Sequence, residues 1–307
     1  MTIDMQQIRF QLSELNLDGL CSLSMPQPVS AVTPIAELPA DKPILLMLHG
    51  WQDNAESFSP LFPLLAEHFH LVAFDWPGHG WSDPRASGNY YHFVDYVDDL
   101  HQVVSLLPNR PLFILGHSLG ALVSVCYSAA FGERVAGLVL IEGLAPLHEA
   151  ESKAPARLRQ GLLSRHRYRE RETQRQQRSM ASFEQALALR CNVNQLTQEQ
   201  LTPLVARATY QQGGRWYWRH DNRLRCDSLY RMAATHASAM VGSVACPVLS
   251  IIGSQGYRQL KSVQLASAGW QNIIQHEVHG GHHCHLESPC DVAKQILLFS
   301  SQINEMT

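Results

Sequence analysis

The sequence predicts the α/β class: a mostly parallel β-sheet with helices on both faces and a helical segment inserted late in the chain. Three observations predict it. Short apolar runs recur, such as residues 44–48 and 112–115, and runs of this length suit strands buried on both faces. Each is followed by a turn and then a helical pattern, the alternation from which parallel sheets are built. At Gly116-His117-Ser118-Leu119-Gly120 the change from strand to helix takes place within a single G-x-S-x-G turn.

Taken in order, residues 8–25 alternate loosely: Ile8, Phe10 and Leu12, then Leu15, Leu17 and Leu20. Asp18-Gly19 reads as a hairpin turn, so an antiparallel pair is expected to open the chain. A loop from Pro26 to Pro43 leads into the strand at 44–49. His49-Gly50-Trp51 follows, then a helical pattern through Phe58, Leu61, Leu64 and Leu65. Residues 70–75 read as the next strand, closed by Pro77-Gly78-His79-Gly80. A helix is expected over 93–107, ended by Pro108. The strand at 112–115 crosses the glycine-flanked turn into a helix beginning at Ala121, and 135–142 form another buried strand. After Pro146 the rhythm stops. Residues 147–240 contain no strong strand, carry eight arginines between Arg157 and Arg178, and show helical runs at 182–191 and 198–208. The rhythm resumes with a strand at 247–253, a helix near 259–267, a strand near 273–278 and a last helix over 291–303. The expected organisation is a core of residues 1–146 and 241–307 with a helical insert at 147–240.

Composition excludes several classes. With 45% hydrophobic and 17% charged residues the chain is an ordinary globular one, and its 307 residues suffice for one large α/β domain with an insert. A formal net charge of −3 gives no whole-protein field that would attract nucleic acid or a membrane surface. No apolar run is long enough to span a bilayer, and the acid-bearing N-terminus lacks a signal-peptide apolar region, so a cytoplasmic protein is expected. The 7 cysteines are odd in number and lack paired CxxC spacing, which suits free thiols.

The chemistry centres on Ser118. Gly116 and Gly120 lack Cβ atoms, so strand and helix can approach closely around a strained serine at the positive end of a helix. A serine hydroxyl needs a base to take its proton, the base is usually a histidine held by a carboxylate, and backbone N–H groups must face the attacked carbonyl. Those N–H groups are expected from Leu119, the residue after the nucleophile, and from Trp51, after His49-Gly50. The histidine is sought late in the chain, where the sequence reads Val278-His279-Gly280-Gly281-His282-His283-Cys284-His285-Leu286-Glu287. A polar loop with histidines bonded to backbone is one reading of this cluster and a metal site another. Adjacent His282 and His283 aim poorly at one ion, however, and no second cysteine–histidine pair has suitable spacing.

The segments LHGWQDNAESF (48–58), FDWPGHGWSD (74–83), GHSLGA (116–121), LVLIEGLAP (138–146), RHDNRLR (219–225) and GGHHCHLESP (280–289) together resemble the α/β-hydrolase fold. More narrowly, they are similar to bacterial hydrolases related to the serine hydrolase-like proteins of animals. The resemblance implies an eight-stranded sheet, a cap over the active site at 147–240, and the base at His282, with His283 as runner-up and His285 buttressing the loop. Most members place an aspartate after the strand that follows the insert; here the matching position is Gly256, with no carboxylate nearby. Glu142 ends the strand after the elbow helix, a placement that some haloalkane dehalogenases resemble, and it keeps the chain order Ser118, Glu142, His282. A loop-stabilising carboxylate is the other reading of Glu142. The insert's arginines read either as solvated helix faces or as contacts for an anionic substrate such as an acyl-CoA or a phosphorylated ester. Arg219, Asp221 and Arg223 read as an ion network that fixes the insert. Tyr210 and residues 216–218 read either as packing or as a pocket wall.

The expected activity is hydrolysis of a small-molecule ester or thioester through an acyl-enzyme, with no metal or organic cofactor. A cofactor-free perhydrolase, lactonase or C–C hydrolase uses the same residues, and a non-catalytic binding protein on this scaffold would explain the missing acid at Gly256. A dehalogenase or epoxide hydrolase needs a carboxylate at position 118.

Overall fold

The computed structural model describes residues 4–23, 27–33, 35, 42–172, 178–263, 265 and 268–306. Part of the expected Pro26–Pro43 loop, Pro26 included, lies outside them. The first two strands, β1 (Gln6–Gln11) and β2 (Asn16–Cys21), pair antiparallel as expected. Their turn, however, is 12–15, closed by the Leu12 N–H on the Leu15 carbonyl at 3.0 Å, and not Asp18-Gly19. Asp18 and Gly19 stand inside β2, opposite Arg9 and Ile8. The glycine serves a close approach: a Cβ there would lie 2.2 Å from the Ala73 carbonyl oxygen. The buried Asp18 takes both guanidinium contacts of Arg9, at 3.1 and 2.9 Å.

The next strands are β3 (Ile44–Leu48), β4 (His70–Phe74), β5 (Leu112–His117) and β6 (Gly137–Ile141), and every residue in them is buried. Between β3 and β4 the expected helical pattern divides into a 3-10 turn, Ala55–Phe58, and one turn of helix, α1 (Phe62–Leu65). The Asn54 side chain caps the 3-10 turn on the Glu56 N–H. Helices α2 (Phe93–Ser105) and α3 (Leu119–Ala130) flank β5 in sequence.

The segment after β6 holds β7 (His148–Glu149), α4 (Ala154–Glu172), α5 (Phe183–Asn194) and α6 (Gln198–Ala208). It continues with β8 (Thr209–Gln212), β9 (Arg215–Trp218), β10 (Met232–Ala233) and α7 (Ala234–Gly242). It is mainly helical, but it also contains the antiparallel β8–β9 hairpin, which the absence of a strong apolar alternation concealed. The chain then forms β11 (Val248–Gly253), α8 (Arg258–Lys261), β12 (Ile273–Val278), α9 (Cys284–Glu287) and α10 (Pro289–Met306). Helix α8 is shorter than the expected 259–267; residues 264, 266 and 267 lie outside those described.

Eight strands make one sheet in the order β1-β2-β4-β3-β5-β6-β11-β12, parallel except at the two pairings of β2. Successive residues of β3 explain why its sequence is apolar throughout. Ile44, Leu46 and Leu48 pack with Leu100, Val103, Val123 and Tyr127 from α2 and α3 on one face. Leu45 and Met47 pack with Phe62, Val292, Ile296 and Phe299 from α1 and α10 on the other. Among the described residues no helix is long and apolar enough to cross a membrane. All 7 cysteines are unpaired, and only Cys290 is exposed.

Candidate active site

The functional side chains gather at the C-terminal ends of β3, β5, β6, β11 and β12, where the crevice of an open parallel sheet lies. Strand β5 ends at His117 and α3 starts at Leu119, so Ser118 alone makes the joint. Its φ of 50° and ψ of −113° are strained for a residue with a side chain, and such strain is held where surrounding structure enforces it. The enforcement is visible on both sides. A Cβ on Gly116 would lie 2.4 Å from the Ala121 nitrogen, and one on Gly120 would lie 2.0 Å from the Leu48 carbonyl oxygen. The Ser118 N–H is held by the Ile141 carbonyl at 2.9 Å. Ser118 itself is partly exposed.

The loop after β3 lies over the serine, since a Cβ on Gly50 would stand 3.2 Å from Ser118 Cβ. The Trp51 N–H therefore belongs to the same small region as the Leu119 N–H, the first of α3. Among the described residues neither meets a protein acceptor. Two such donors beside a serine suit a developing oxyanion. The Trp51 side chain is 49% exposed and is no part of the core.

Glu142 follows β6 directly, with φ 52°, and its carboxylate is fully buried between the ends of β6 and β11. Oε1 accepts the Gly253 N–H at 2.8 Å, and Oε2 accepts the Tyr257 N–H at 3.1 Å. Oε2 also stands 3.3 Å from His282 Nδ1. Burial pushes the Glu142 carboxyl up, but the His282 hydrogen bond and the two backbone N–H groups outweigh it and hold it below the usual range. His282, in the turn between β12 and α9, keeps a quarter of its side chain exposed. Burial, the largest influence, lowers its pKa below the ordinary value; Glu142 acts in the opposite sense and the neighbouring His117 adds to the lowering. The imidazole is therefore neutral at pH 7, and with Nδ1–H donated to Glu142 its Nε2 carries the lone pair.

The glycine at 256 has a geometric reason. A Cβ there would lie 2.0 Å from Glu142 Oε1 and 2.5 Å from its carboxyl carbon. The carboxylate from β6 fills the space that a side chain at 256 would need. Gly256→Ala is expected to push Glu142 off its two N–H donors and off His282. It should cost about 1–3 kcal/mol of stability by overpacking and slow any acyl transfer; denaturant melts and ester turnover measured together check it.

A second group of polar side chains, largely missed by motif reading, backs the first. His117 is fully buried; Nε2 donates to the His282 carbonyl at 2.8 Å, and Nδ1 faces Asp53 Oδ2 at 3.6 Å. His283 Nε2 reaches the same Asp53 oxygen at 3.1 Å. Arg190 of α5 donates to Asp53 Oδ1 at 2.5 Å and to the Gln52 carbonyl at 3.1 Å. Burial raises the Asp53 carboxyl, yet His283, His117 and Arg190 together hold it well below its usual range. The ligand atoms of Asp53, His117 and His283 lie within 4.8 Å of one another, a composition that metal sites use. Here the Arg190 guanidinium already pairs with the same carboxylate, and the two histidine rings face it. His285 is fully buried and meets Ser57 Oγ at 2.9 Å through Nε2, bracing the loop from below. Of this group the sequence had pointed to His283 and His285, through the histidine-rich stretch after Gly281, and not to Asp53, His117 or Arg190.

The remaining polar residues of the turns are tied to backbone. His49 donates through Nδ1 to the Gly50 carbonyl and accepts the Trp76 N–H on Nε2 at 2.9 Å; burial lowers its pKa to about 4. His79 Nδ1 bonds the Pro77 carbonyl at 3.0 Å. Asp75 accepts the N–H groups of Ala55 and Trp81 and pairs with Arg207 of α6. In the 219–225 segment the ion network is Asp221 with Arg223 at 2.5 Å, joined by the Tyr91 hydroxyl at 2.8 Å. Arg219 stands apart from it, bonded to the Thr209 carbonyl and set over the Trp81 and Tyr210 rings. Of the aromatic group, Tyr210 stacks on Tyr217 and Trp216 packs on Phe183.

Comparison with known proteins places this geometry. The family model described as the alpha/beta hydrolase fold matches residues 43–289. A serine hydrolase-like protein of Danio rerio is 28% identical over 262 residues, covering 83% of this chain and 80% of that protein. A protein of Drosophila melanogaster named a probable serine hydrolase is 27% identical over 267 residues, covering 83% of this chain and 80% of its own. Among solved structures, a hypothetical protein of Pseudomonas aeruginosa PAO1 superposes with a TM-score of 0.82 at 31% identity, over 97% of this chain and 99% of that one. The thioesterase domain from the curacin biosynthetic pathway superposes with a TM-score of 0.79 at 19% identity, over 96% and 99%, a likeness of fold.

Proposed function

Since the chain belongs to the alpha/beta hydrolase fold family, we propose that it is a serine hydrolase that cleaves a small-molecule carboxylic ester or thioester through an acyl-enzyme. The observation that carries the reading is the 3.3 Å contact of Glu142 Oε2 with His282 Nδ1, beside a serine held in a strained elbow. Ser118 Oγ attacks the carbonyl carbon while His282 Nε2 takes its proton. The Trp51 and Leu119 N–H groups hold the resulting oxyanion. Glu142, ionised and fully desolvated, stabilises the imidazolium. The intermediate collapses, the C–O or C–S bond breaks, and His282 gives its proton to the departing alcohol or thiol. Water then attacks the acyl-serine, with His282 again as base, and the free acid leaves.

The same reading assigns residues 147–240 as a cap on a core of 1–146 and 241–307. The segment leaves the sheet after β6 and returns at its neighbour β11, so it interrupts no strand pairing. A reducing, cytoplasmic setting suits the seven free thiols. The non-catalytic alternative drew its support from Gly256; Glu142 occupying that space supports the catalytic reading instead.

A fluorophosphonate probe tests the proposal. Wild-type protein is expected to be labelled stoichiometrically and Ser118→Ala not at all. Absence of label on folded wild-type protein sinks it.

A further inference from the structure

Charge is divided unevenly along this chain. Residues 147–240 carry sixteen Lys and Arg against eight Asp and Glu, while the rest carries eight against nineteen. Part of that excess has internal partners: Arg157 pairs with Glu149, Arg190 with Asp53, Arg207 with Asp75 and Arg223 with Asp221. Another part has no acid partner among the described residues, with Arg219 bonded to the Thr209 carbonyl and Arg225 to the His220 ring. It gathers around a cavity of about 870 Å³ inside the segment, within the ~300–1,000 Å³ range of small-molecule and cofactor sites.

Arg167 and Arg171, one turn apart on α4, form one wall, with Arg178 beyond them; Arg219 and Arg225 face in from the stretch after β9. Among the described residues none of the five has a carboxylate within ion-pair distance. Three acids, Glu172, Asp221 and Asp227, also line the space, so the arginines outnumber them by two; Asp221 is already taken by Arg223 and Tyr91. All five side chains are exposed, so water screens their mutual repulsion, yet five like charges around one cavity still make a positive potential that attracts an anion. Their planar forks bind phosphate oxygens in pairs. Tyr168, Tyr210 and Trp218 also line the cavity; Tyr210 is already stacked on Tyr217 and covered by Arg219, which leaves Tyr168 and Trp218 for a ligand. Flat π-faces beside cations suit a heteroaromatic base stacked next to its phosphates.

Helix α5 links the cavity to the loop after β3. Leu189 of α5 lines the cavity, and the adjacent Arg190 bonds the Gln52 carbonyl and Asp53, in the loop that carries the Trp51 N–H.

We propose that this cavity binds the nucleoside-diphosphate end of an acyl thioester, with the arginines on the phosphates and the aromatic rings on the base. The proposal rests on the reading of Ser118 as an acyl-transfer nucleophile, whose substrate class it specifies.

Calorimetric titration of ADP into the full-length Ser118→Ala protein tests the site without turnover. Saturable binding that weakens at least tenfold in Arg171→Ala/Arg225→Ala, and that fades with added salt, is expected. No saturable binding, or binding unchanged in that variant, overturns it. A kinetic arm compares butyryl-coenzyme A with S-butyryl pantetheine, which lacks the nucleotide. In wild type the KM of the first is expected to be at least tenfold lower, and in the double variant the two should converge. Arg159→Ala, exposed on α4 and outside the cavity, should keep the ratio. Equal KM values in wild type overturn the proposal and leave the hydrolase reading intact. ADP binding lost in the double variant, in a protein that hydrolyses no ester, upholds the site and sinks the hydrolase reading.

Discussion

Glu142→Gln is expected to lower turnover of p-nitrophenyl butyrate about 10³–10⁴-fold at neutral pH while the protein stays folded. The magnitude follows from what a triad carboxylate does: it fixes the histidine tautomer and offsets the imidazolium charge in the transition state. Glutamine has nearly the same shape and still offers one oxygen to the Gly253 N–H, but its amide group has no net charge for His282 and sets a donor against the Tyr257 N–H if its oxygen faces Gly253. The pH profile separates this role from a structural one. In wild type kcat/KM should rise as His282 loses its proton, at a pKa below 6.5, and be flat through neutrality. Glu142 raises that pKa, so the glutamine variant should show its acid limb at still lower pH. Unchanged turnover and an unmoved limb would remove Glu142 from the relay.

Arg207→Ala is expected to give the largest loss of stability, about 3–5 kcal/mol, because it strands a carboxylate in the interior. Asp75 is wholly inaccessible and Arg207 nearly so, and the guanidinium Nε lies 2.8 and 3.0 Å from the two carboxylate oxygens. The Ala55 and Trp81 N–H groups remain on Asp75 in the variant but bring no full charge. The arginine also bonds Gln7 Oε1 and covers the Trp81 ring, contacts that go with it. Arg159→Ala, exposed on α4, should change stability by less than about 0.5 kcal/mol. Urea denaturation of both variants measures the difference; equal midpoints would show that this pair does not hold α6 to the sheet.

The strands of the sheet were legible because burial on both faces leaves an unbroken apolar run, and β3 through β6 are such runs. The hairpin was half legible. Alternation showed the two strands, while Asp18-Gly19 marked the wrong turn, since a glycine demanded by a neighbouring strand looks the same as one demanded by a bend. The β8–β9 hairpin was hidden because its strands are short, polar and only partly buried, so hydrophobic period carries no signal there. In the candidate site, Ser118 and its flanking glycines were readable from local backbone geometry. Asp53, His117 and Arg190 were not, because their partners lie 64 to 230 positions away in sequence.

The sequence by itself determined which segments become strands and helices, and it determined the strained joint at Ser118, because those properties follow from the period of apolar residues and from the conformations that glycine permits. It nominated Glu142 and His282 without bringing them together. Only the tertiary structure decided that β6 lies beside β11, so that a carboxylate at the end of one fills the space beside Gly256 at the end of the other and reaches the imidazole. That adjacency arises from the order in which strands pack into the sheet, a property of the whole chain that no local pattern of residues contains.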